Sequence, residues 1–250
     1  MFGFKKKEER KARELLVVDL LLFAVFLSSM LLFWDHATIV VSTGIIVTAA
    51  GFLFFHTKED IIFFLLGAFL GSLSDAIMIH FDAWQYARPV LFGLALWAPF
   101  FWGFCFLFGR RLRDAILNLS YARIHYHHHV KIKNELSSLA PDGTLYLISL
   151  LFAIAFWQTT LFLFLFYVIL LTIVVSVYHE PEDVLFIFIA MGVGIFVELS
   201  AVSAGAWSHA NTVFFGIPLW LVPLYGIFGL IVQRTAITIN RLTKTKRNLF

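Results

Sequence analysis

Eight apolar segments follow one another along the chain, separated by short polar stretches. They cover residues 17–33, 38–55, 61–80, 89–109, 144–157, 160–178, 184–205 and 212–233. Several approach the ~20 residues that a helix needs to cross ~30 Å of hydrocarbon. Lipid offers the backbone no hydrogen-bond partners, and the alternating strands of a membrane barrel are absent. The pattern therefore predicts an all-α, polytopic membrane protein with eight transmembrane helices.

The two halves of the chain align without a gap when one is displaced by 123 residues. Six of the seven tryptophans pair at this offset, and the seventh, Trp102, aligns with Tyr225. Shared hydrophobicity alone does not place rare tryptophans in register, so we predict a tandem repeat. Each repeat holds four spans, an even number, so both enter the membrane from the same side. We expect two parallel four-helix repeats related by a pseudo-two-fold axis along the membrane normal.

These patterns divide the chain into five predicted parts. They are a cytoplasmic basic flank (1–14), a first four-helix repeat (15–110), a basic and His-rich cytoplasmic linker (111–143), a second four-helix repeat (144–235) and a cytoplasmic basic tail (236–250).

The composition agrees with a membrane protein and nearly excludes a soluble one. Hydrophobic residues make up 60% of the chain, and charged residues only 14%, against about 45–50% and about 25% in soluble domains. A single cysteine, Cys105, excludes an intrachain disulfide.

The positive charges predict the orientation. Eighteen of the 19 Lys and Arg residues flank the predicted spans on one side, and Arg88 is the exception. The positive-inside rule makes that side cytoplasmic, which predicts a multi-pass inner (plasma) membrane protein with both termini in the cytoplasm. Charges in such short flanks report topology, so we expect no nucleic-acid partner.

Asp75 and Glu198 are the candidate catalytic residues. They occupy equivalent positions in spans three and seven, and each follows small residues at four-residue spacing, Gly67 and Gly71 in one half and Ala190 and Gly194 in the other. Such spacing marks a helix-packing face, so we expect the acids to point inward. An intramembrane carboxylate is costly and suggests function, although a structural hydrogen bond to a neighbouring helix is the alternative.

Aromatic and histidine side chains recur near the outer end of the spans and are candidates for substrate binding. They are Trp84, Tyr86, Trp97, Trp207, His209, Trp220 and His80. Together with Asp82, Asp35 and His36, several of them would line the mouth of an outward-facing cavity. For the tryptophans, an interfacial aromatic belt is the favoured explanation. His80 and Asp82 lack a specific ligand spacing, so we expect no metal and no cofactor.

Other polar motifs have structural explanations. Thr57 with Asp60 predicts a helix capping box after His56, and Pro181 after His179 suits a first helical turn. Asp19 and Asp142 also align at the offset, and we expect each to mark a helix start. The histidines of the central loop suggest a solvated linker near lipid headgroups. They are His125, His127, His128 and His129.

The second half also contains a pattern of an acid, a Gly-x-Trp and a Gly-x-Pro. It consists of Glu198, Gly205-Ala206-Trp207, and Gly216-Ile217-Pro218 followed by Pro223. This pattern resembles membrane carotenoid hydratases and small lycopene cyclases, helical membrane proteins that act on polyene isoprenoids by protonation. The resemblance implies that Glu198 is their first acid. The chain has Leu219 and Trp220 where those cyclases carry further acids. The first-half block, from Gly71 to Trp97, looks like uncharacterised bacterial inner-membrane proteins.

The sequence therefore predicts an integral membrane protein with a paired-acid, outward-facing cavity. We expect it to bind or transform a hydrophobic, isoprenoid-like lipid by acid catalysis. A proton- or cation-coupled transporter or channel is the first alternative, and a structural or assembly subunit is the second. Whether the protein is an enzyme stays open, as does a homo-oligomer or another membrane-complex partner.

Overall fold

The computed structural model describes residues 2–55, 57–119, 139–177 and 180–247. The first half contains α1 (Phe2–Phe33), α2 (Ala37–Phe55), α3 (Lys58–His80), β1 (Trp84–Tyr86) and α4 (Ala98–Leu119). The second half contains α5 (Leu139–Phe156), α6 (Thr160–Val177), α7 (Pro181–Ala204), β2 (Trp207–His209) and α8 (Leu221–Arg247).

The all-α, polytopic architecture is confirmed. Among the described residues, six helices are long and apolar enough to cross a membrane: α1, α3, α5, α6, α7 and α8. In α2 the apolar stretch Ala37–Leu53 is shorter. In α4 the apolar stretch is followed within the helix by three arginines, Arg110, Arg111 and Arg113.

The elements of the two halves recur at the offset of 123 residues. Adding this number to the first residues of α2, α3 and α4 gives the first residues of α6, α7 and α8. The same shift carries β1 onto β2. The helix starts have local causes: Thr57 and Asp60 form the expected capping box at α3, and Pro181 occupies the first turn of α7.

Two of the predicted spans are wrong in their first residues. The sequence predicts helices over 89–109 and 212–233, but α4 begins at Ala98 and α8 at Leu221. The preceding segments form tight hairpins instead. In each hairpin a Phe-Gly pair adopts the left-handed conformation, Phe92 and Gly93 in one and Phe215 and Gly216 in the other. Two successive residues with positive φ suit a two-residue hairpin turn and cannot continue a helix.

The centre of the bundle consists of α3, α4, α7 and α8. Helix α3 packs against both α4 and α8, and α7 packs against both α8 and α4. Close packing depends on glycine: a Cβ on Gly71 would lie 2.6 Å from the Trp102 ring, and one on Gly194 would lie 2.5 Å from the Tyr225 ring. Helices α1 and α2 flank α4, whereas α5 and α6 flank α8.

Buried ion pairs join the helices at the end of the bundle that carries Arg110, Arg111 and Arg234, which we call the arginine end. Arg111 bonds Asp19 at 2.6 Å, and Arg234 contacts the carboxylates of Asp142 and Asp183. Arg110 bonds Asp60. These arginines therefore hold helices together as well as marking the predicted orientation.

One polar assignment is corrected at this end. Asp19 does not mark a helix start, because it lies buried within α1 and is paired with Arg111 across 92 residues of chain. Asp142 does lie in the first turn of α5, as expected.

Candidate functional site

The two strands form an antiparallel ribbon at the opposite end of the bundle, which we call the ribbon end. Its register pairs Trp84 with His209, Gln85 with Ser208, and Tyr86 with Trp207. The offset of 123 relates Gln85 to Ser208 and exchanges the other two pairs with each other, so the ribbon pairing is symmetric about the Gln85–Ser208 pair. Successive strand residues point to opposite faces, and Gln85 and Ser208 are exposed while Tyr86, Trp207 and His209 are buried.

Asp75 lies beneath the ribbon on α3 and is 5% exposed. The Tyr86 hydroxyl donates to its Oδ2 at 2.5 Å, and the Trp102 indole donates to the same oxygen at 2.7 Å. Both donors bond Oδ2. No other described group donates to Oδ1, so this oxygen is an available acceptor.

Glu198 occupies the equivalent place on α7 and is 3% exposed. The Trp207 indole lies 2.7 Å and His209 Nε2 lies 2.8 Å from Oε2, while the Tyr225 hydroxyl donates to Oε1. Both oxygens of Glu198 therefore have partners. The expectation that the two acids point inward is confirmed, but their surroundings differ.

The aromatic residues near the acids pack inside the protein. Trp97 and Trp220 are each 1% exposed, and Trp207 is 5% exposed. Trp97 packs against Trp207, and Trp220 stacks on Trp84 at a centroid distance of 6.3 Å. An interfacial belt does not describe them, because their rings face other protein groups and not lipid.

Some expected members of the site lie elsewhere. His80 is exposed at the end of α3, where its ring meets Phe81 edge-on. Asp82, Asp35 and His36 are exposed too. Over the described ranges no group of three His, Cys, Asp or Glu residues is placed to hold a metal ion. The central-loop histidines lie outside the described residues.

Two hydrogen-bond donors to the acids were not among the residues predicted from the sequence. Trp102 and Tyr225 occupy positions related by the offset and bond Asp75 and Glu198, and their ring centroids lie 6.1 Å apart. The alignment of Trp102 with Tyr225 between the two halves was an available signal, because both side chains are aromatic rings that carry a hydrogen-bond donor.

An open crevice between α3, α5 and α8 reaches Asp75 but not Glu198. Its polar lining includes Asp75, Ser74, Tyr146 and Ser149, and the rings of Trp84, Trp102 and Tyr225 line it too. The Ser74 and Tyr146 hydroxyls bond each other at 3.0 Å, whereas the buried Ser149 Oγ has no hydrogen-bond partner. Apolar residues line the remainder. Ser74, Tyr146 and Leu150 are only half-buried, so the crevice opens on the membrane-facing side of the helices.

The corresponding volume beside Glu198 is filled, although a second crevice, lined in part by Cys105, Val197 and Tyr225, lies between α4 and α7 without reaching either acid. Phe26 and Met30 of α1 stand at the positions of Ser149 and Ala153, and they are fully buried in one cluster with Val197 and Ala201 of α7. Trp34 also ties α1 to α7 by donating to the Ala204 carbonyl at 2.9 Å. The two halves therefore differ next to the acids, with a crevice beside Asp75 and packed side chains beside Glu198.

Two solved structures share this fold. Both are of MvINS, an Insig homologue from Mycobacterium vanbaalenii, and one of them is of a cross-linked trimer. They are 22% identical to this chain, cover 73% of it and 96% of their own length, and superpose with TM-scores of 0.54 and 0.55. No protein-family model and no curated protein matches the chain.

The resemblance to carotenoid hydratases and lycopene cyclases is wrong, because the solved structures that match are of an Insig homologue. The glycines of that pattern have structural roles instead. Gly205 ends α7 in the left-handed conformation, and Gly216 forms the hairpin turn with Phe215. The chain therefore has the fold of the Insig homologue MvINS.

Proposed function

We propose that this protein binds a neutral lipid in the crevice beside Asp75, with a hydroxyl group of the lipid donating to Asp75 Oδ1. One observation carries the proposal: the Asp75 carboxylate lines an otherwise largely apolar crevice, and its two hydrogen bonds from described residues both go to Oδ2. A carboxylate within a membrane-spanning helix is costly unless its oxygens are bonded, so Oδ1 beside an open crevice suits a ligand hydroxyl.

The polar end of the crevice suits a small uncharged head. Tyr86 and Trp102 orient Asp75 by donating to Oδ2, so that Oδ1 is left for another donor. Ser149 Oγ supplies a further unpaired group. A charged lipid headgroup would be costly here because no described cation lines the crevice.

The rest of the crevice suits hydrocarbon. Met78, Leu150, Leu224 and Phe228 are among its lining residues. An isoprenoid-like alcohol has the required form, a hydroxyl on a long apolar chain. Trp84 also lines the crevice and would contact this chain. The remaining buried candidate binding residues hold the two acids and Trp84 in place without lining the crevice themselves. They are Tyr86, Trp97, Trp207, His209 and Trp220.

The broken symmetry supports a ligand site and not an accidental void. Protein interiors are close-packed, and cavities cost stability. The first half fills the equivalent volume with Phe26 and Met30, so the repeat itself shows which residues would close the crevice.

Acid catalysis is a second candidate because it uses the same oxygen. A neutral Asp75 carboxyl would deliver its proton from Oδ1 to an alkene of the bound lipid, and the resulting cation would then lose a proton or add water. Glu198, with both oxygens bonded, would serve as a positioning residue.

Coupled transport lacks a supporting observation. Phe63, Phe106, Phe186 and Phe228 lie between the acids and the arginine end, and their rings contact one another in pairs. This apolar layer separates the two polar regions.

The topology, the five-part division of the chain and a homo-oligomer belong to the same proposal. The one-sided distribution of Lys and Arg supports cytoplasmic termini in a plasma membrane. A mass measurement of the purified protein in detergent tests the oligomer.

Matched photoreactive probes test lipid binding. One probe is a long-chain alcohol carrying a diazirine, and the other is its methyl ether, which lacks the hydroxyl donor. We expect the alcohol to label the protein and Asp75→Asn to reduce this labelling by roughly tenfold or more, since a hydrogen bond to a charged group contributes about 1.5–3 kcal/mol.

Two methionine substitutions on α5 provide the control. Ala153→Met copies Met30 into the crevice and should block labelling, whereas Ala155→Met on the exposed face should not. The proposal would be refuted if the alcohol and the ether labelled the protein equally and if Ala153→Met and Ala155→Met were labelled to the same extent. A bound unsaturated alcohol that gains the mass of water, or keeps its mass with the double bond moved, would add catalysis to binding.

A further inference from the structure

The two hairpins expose large apolar side chains at their tips, which we define as residues 90–92 and 213–215. Phe92 is 77% exposed and Phe215 is 74% exposed, and Val90, Leu91, Val213 and Phe214 are more than half exposed as well. Six such residues in water would be an unusual surface for loops.

The depth of the hairpins follows from helix packing. Gly71 lies against Trp102, so these residues share one level in the bundle. From that level α3 continues for nine residues to His80, about 13 Å, whereas α4 reaches back only four residues to Ala98, about 6 Å. Helix α4 thus begins about 7 Å short of the end of α3.

The same calculation applies to the second half. Gly194 lies against Tyr225. Helix α7 continues ten residues to Ala204, and α8 reaches back four residues to Leu221, a difference of about 9 Å. The hairpins therefore occupy the space beside the last turns of α3 and α7.

Contacts support this position. A Cβ on Gly93 would lie 2.4 Å from Ile79, and one on Gly216 would lie 2.7 Å from Val202. Ile79 and Val202 belong to the last turns of α3 and α7. The hairpins thus fold back against the helices and do not project beyond them.

The tips continue an apolar surface. Leu65, Phe69 and Leu73 on α3 are exposed in the same membrane-spanning helix. The hairpin backbone is also suited to lipid, because Leu91 and Leu94 bond each other's backbone groups across the turn. The neighbouring Arg88 is exposed and has a stem long enough to reach phosphate headgroups.

We propose that both tips insert into the hydrocarbon of the leaflet at the ribbon end. Acyl chains cover Phe92 and Phe215, and the two hairpins extend the apolar surface beyond the first residues of α4 and α8. The ribbon then lies between two lipid-embedded hairpins, with Gln85 and Ser208 facing water.

Single-cysteine variants labelled with bimane test the insertion in vesicles. Cys105 is first replaced by Ala, and Cys is introduced at Phe92 or Phe215, with Ser208→Cys as the aqueous control. We expect a phospholipid carrying a nitroxide at carbon 5 of its chain to quench the tip labels strongly. Aqueous iodide, added on both sides of the vesicle membrane, should quench the tip labels severalfold less than the label on Ser208→Cys.

Leu91→Cys and Val213→Cys repeat the test at positions without positive φ, in case the turn residues do not tolerate substitution. Iodide quenching at the tips equal to that at Ser208, with no quenching by the lipid nitroxide, would overturn the proposal.

Discussion

Replacing Gly71 by Ala perturbs the packing that positions Asp75. The new Cβ would lie 2.6 Å from Cγ and 2.8 Å from Cβ of Trp102, whereas carbon atoms pack at about 3.5–4.0 Å. The new Cβ and the Cβ of Trp102 are both fixed to the backbone, so a rotamer change of Trp102 cannot relieve this clash. Helix α4 must move away from α3 by about 1 Å.

The magnitude follows from three contributions. Overpacking of a core costs about 1–3 kcal/mol. The shift also weakens the bond from Trp102 to Asp75, and a hydrogen bond to a charged group contributes about 1.5–3 kcal/mol. Alanine in place of a helical glycine returns about 1 kcal/mol. We expect a net loss of about 2–4 kcal/mol, which lowers the melting temperature by about 5–10 °C in a chain of this size.

Thermal unfolding in detergent measures this loss, with Gly192→Ala as the control. Gly192 is an exposed glycine of α7 with no atom near its Cβ direction, so its substitution should be neutral or slightly stabilising. A Gly71→Ala variant as stable as Gly192→Ala would refute the close-packing argument. In a Trp102→Ala background Gly71→Ala should cost less, because the 2.6 Å contact with Cγ is gone while the 2.8 Å contact with Cβ remains.

Two other predictions concern the arginine end and the hairpins. Arg111→Leu leaves Asp19 buried without its cation and should cost about 3–5 kcal/mol; Asp19→Asn should recover part of this loss in a double-mutant cycle measured by thermal unfolding, and additive losses would contradict the pairing. Gly93→Ala places a side chain at φ 79°, 2.4 Å from Ile79, and should destabilise the protein by about 1–3 kcal/mol. Gly143→Ala is the control, because its Cβ would meet no atom within 4 Å. Equal stability of the two variants in the same assay would contradict the position of the hairpin.

Local features were largely predictable. Apolar runs located the helices because only a helix satisfies its backbone within one segment in lipid. The small residues before Asp75 and Glu198 predicted that both acids face inward, and Thr57 with Asp60 predicted the start of α3. Each of these inferences depends on residues only a few positions apart.

Apolarity predicted the wrong secondary structure at two equivalent segments. Residues 89–97 and 212–220 are as hydrophobic as a helix but form hairpins. Hydrophobicity reports that a segment lies in lipid or core, and it does not distinguish helix from a hydrogen-bonded turn. Phe92-Gly93 and Phe215-Gly216 were the available signals, since glycine suits the second position of such a turn.

By itself the sequence determined that the chain is a helical membrane protein, where some helices begin, that its halves align, and that two acids face inward. These properties depend on composition and short-range periodicity. Only the tertiary structure decided which partners the acids have, that Arg111 pairs with Asp19, and that a crevice opens at Asp75 while Phe26 and Met30 close the equivalent volume near Glu198. Such pairings join residues far apart in the chain, and they depend on how helices meet in space, which no local pattern encodes.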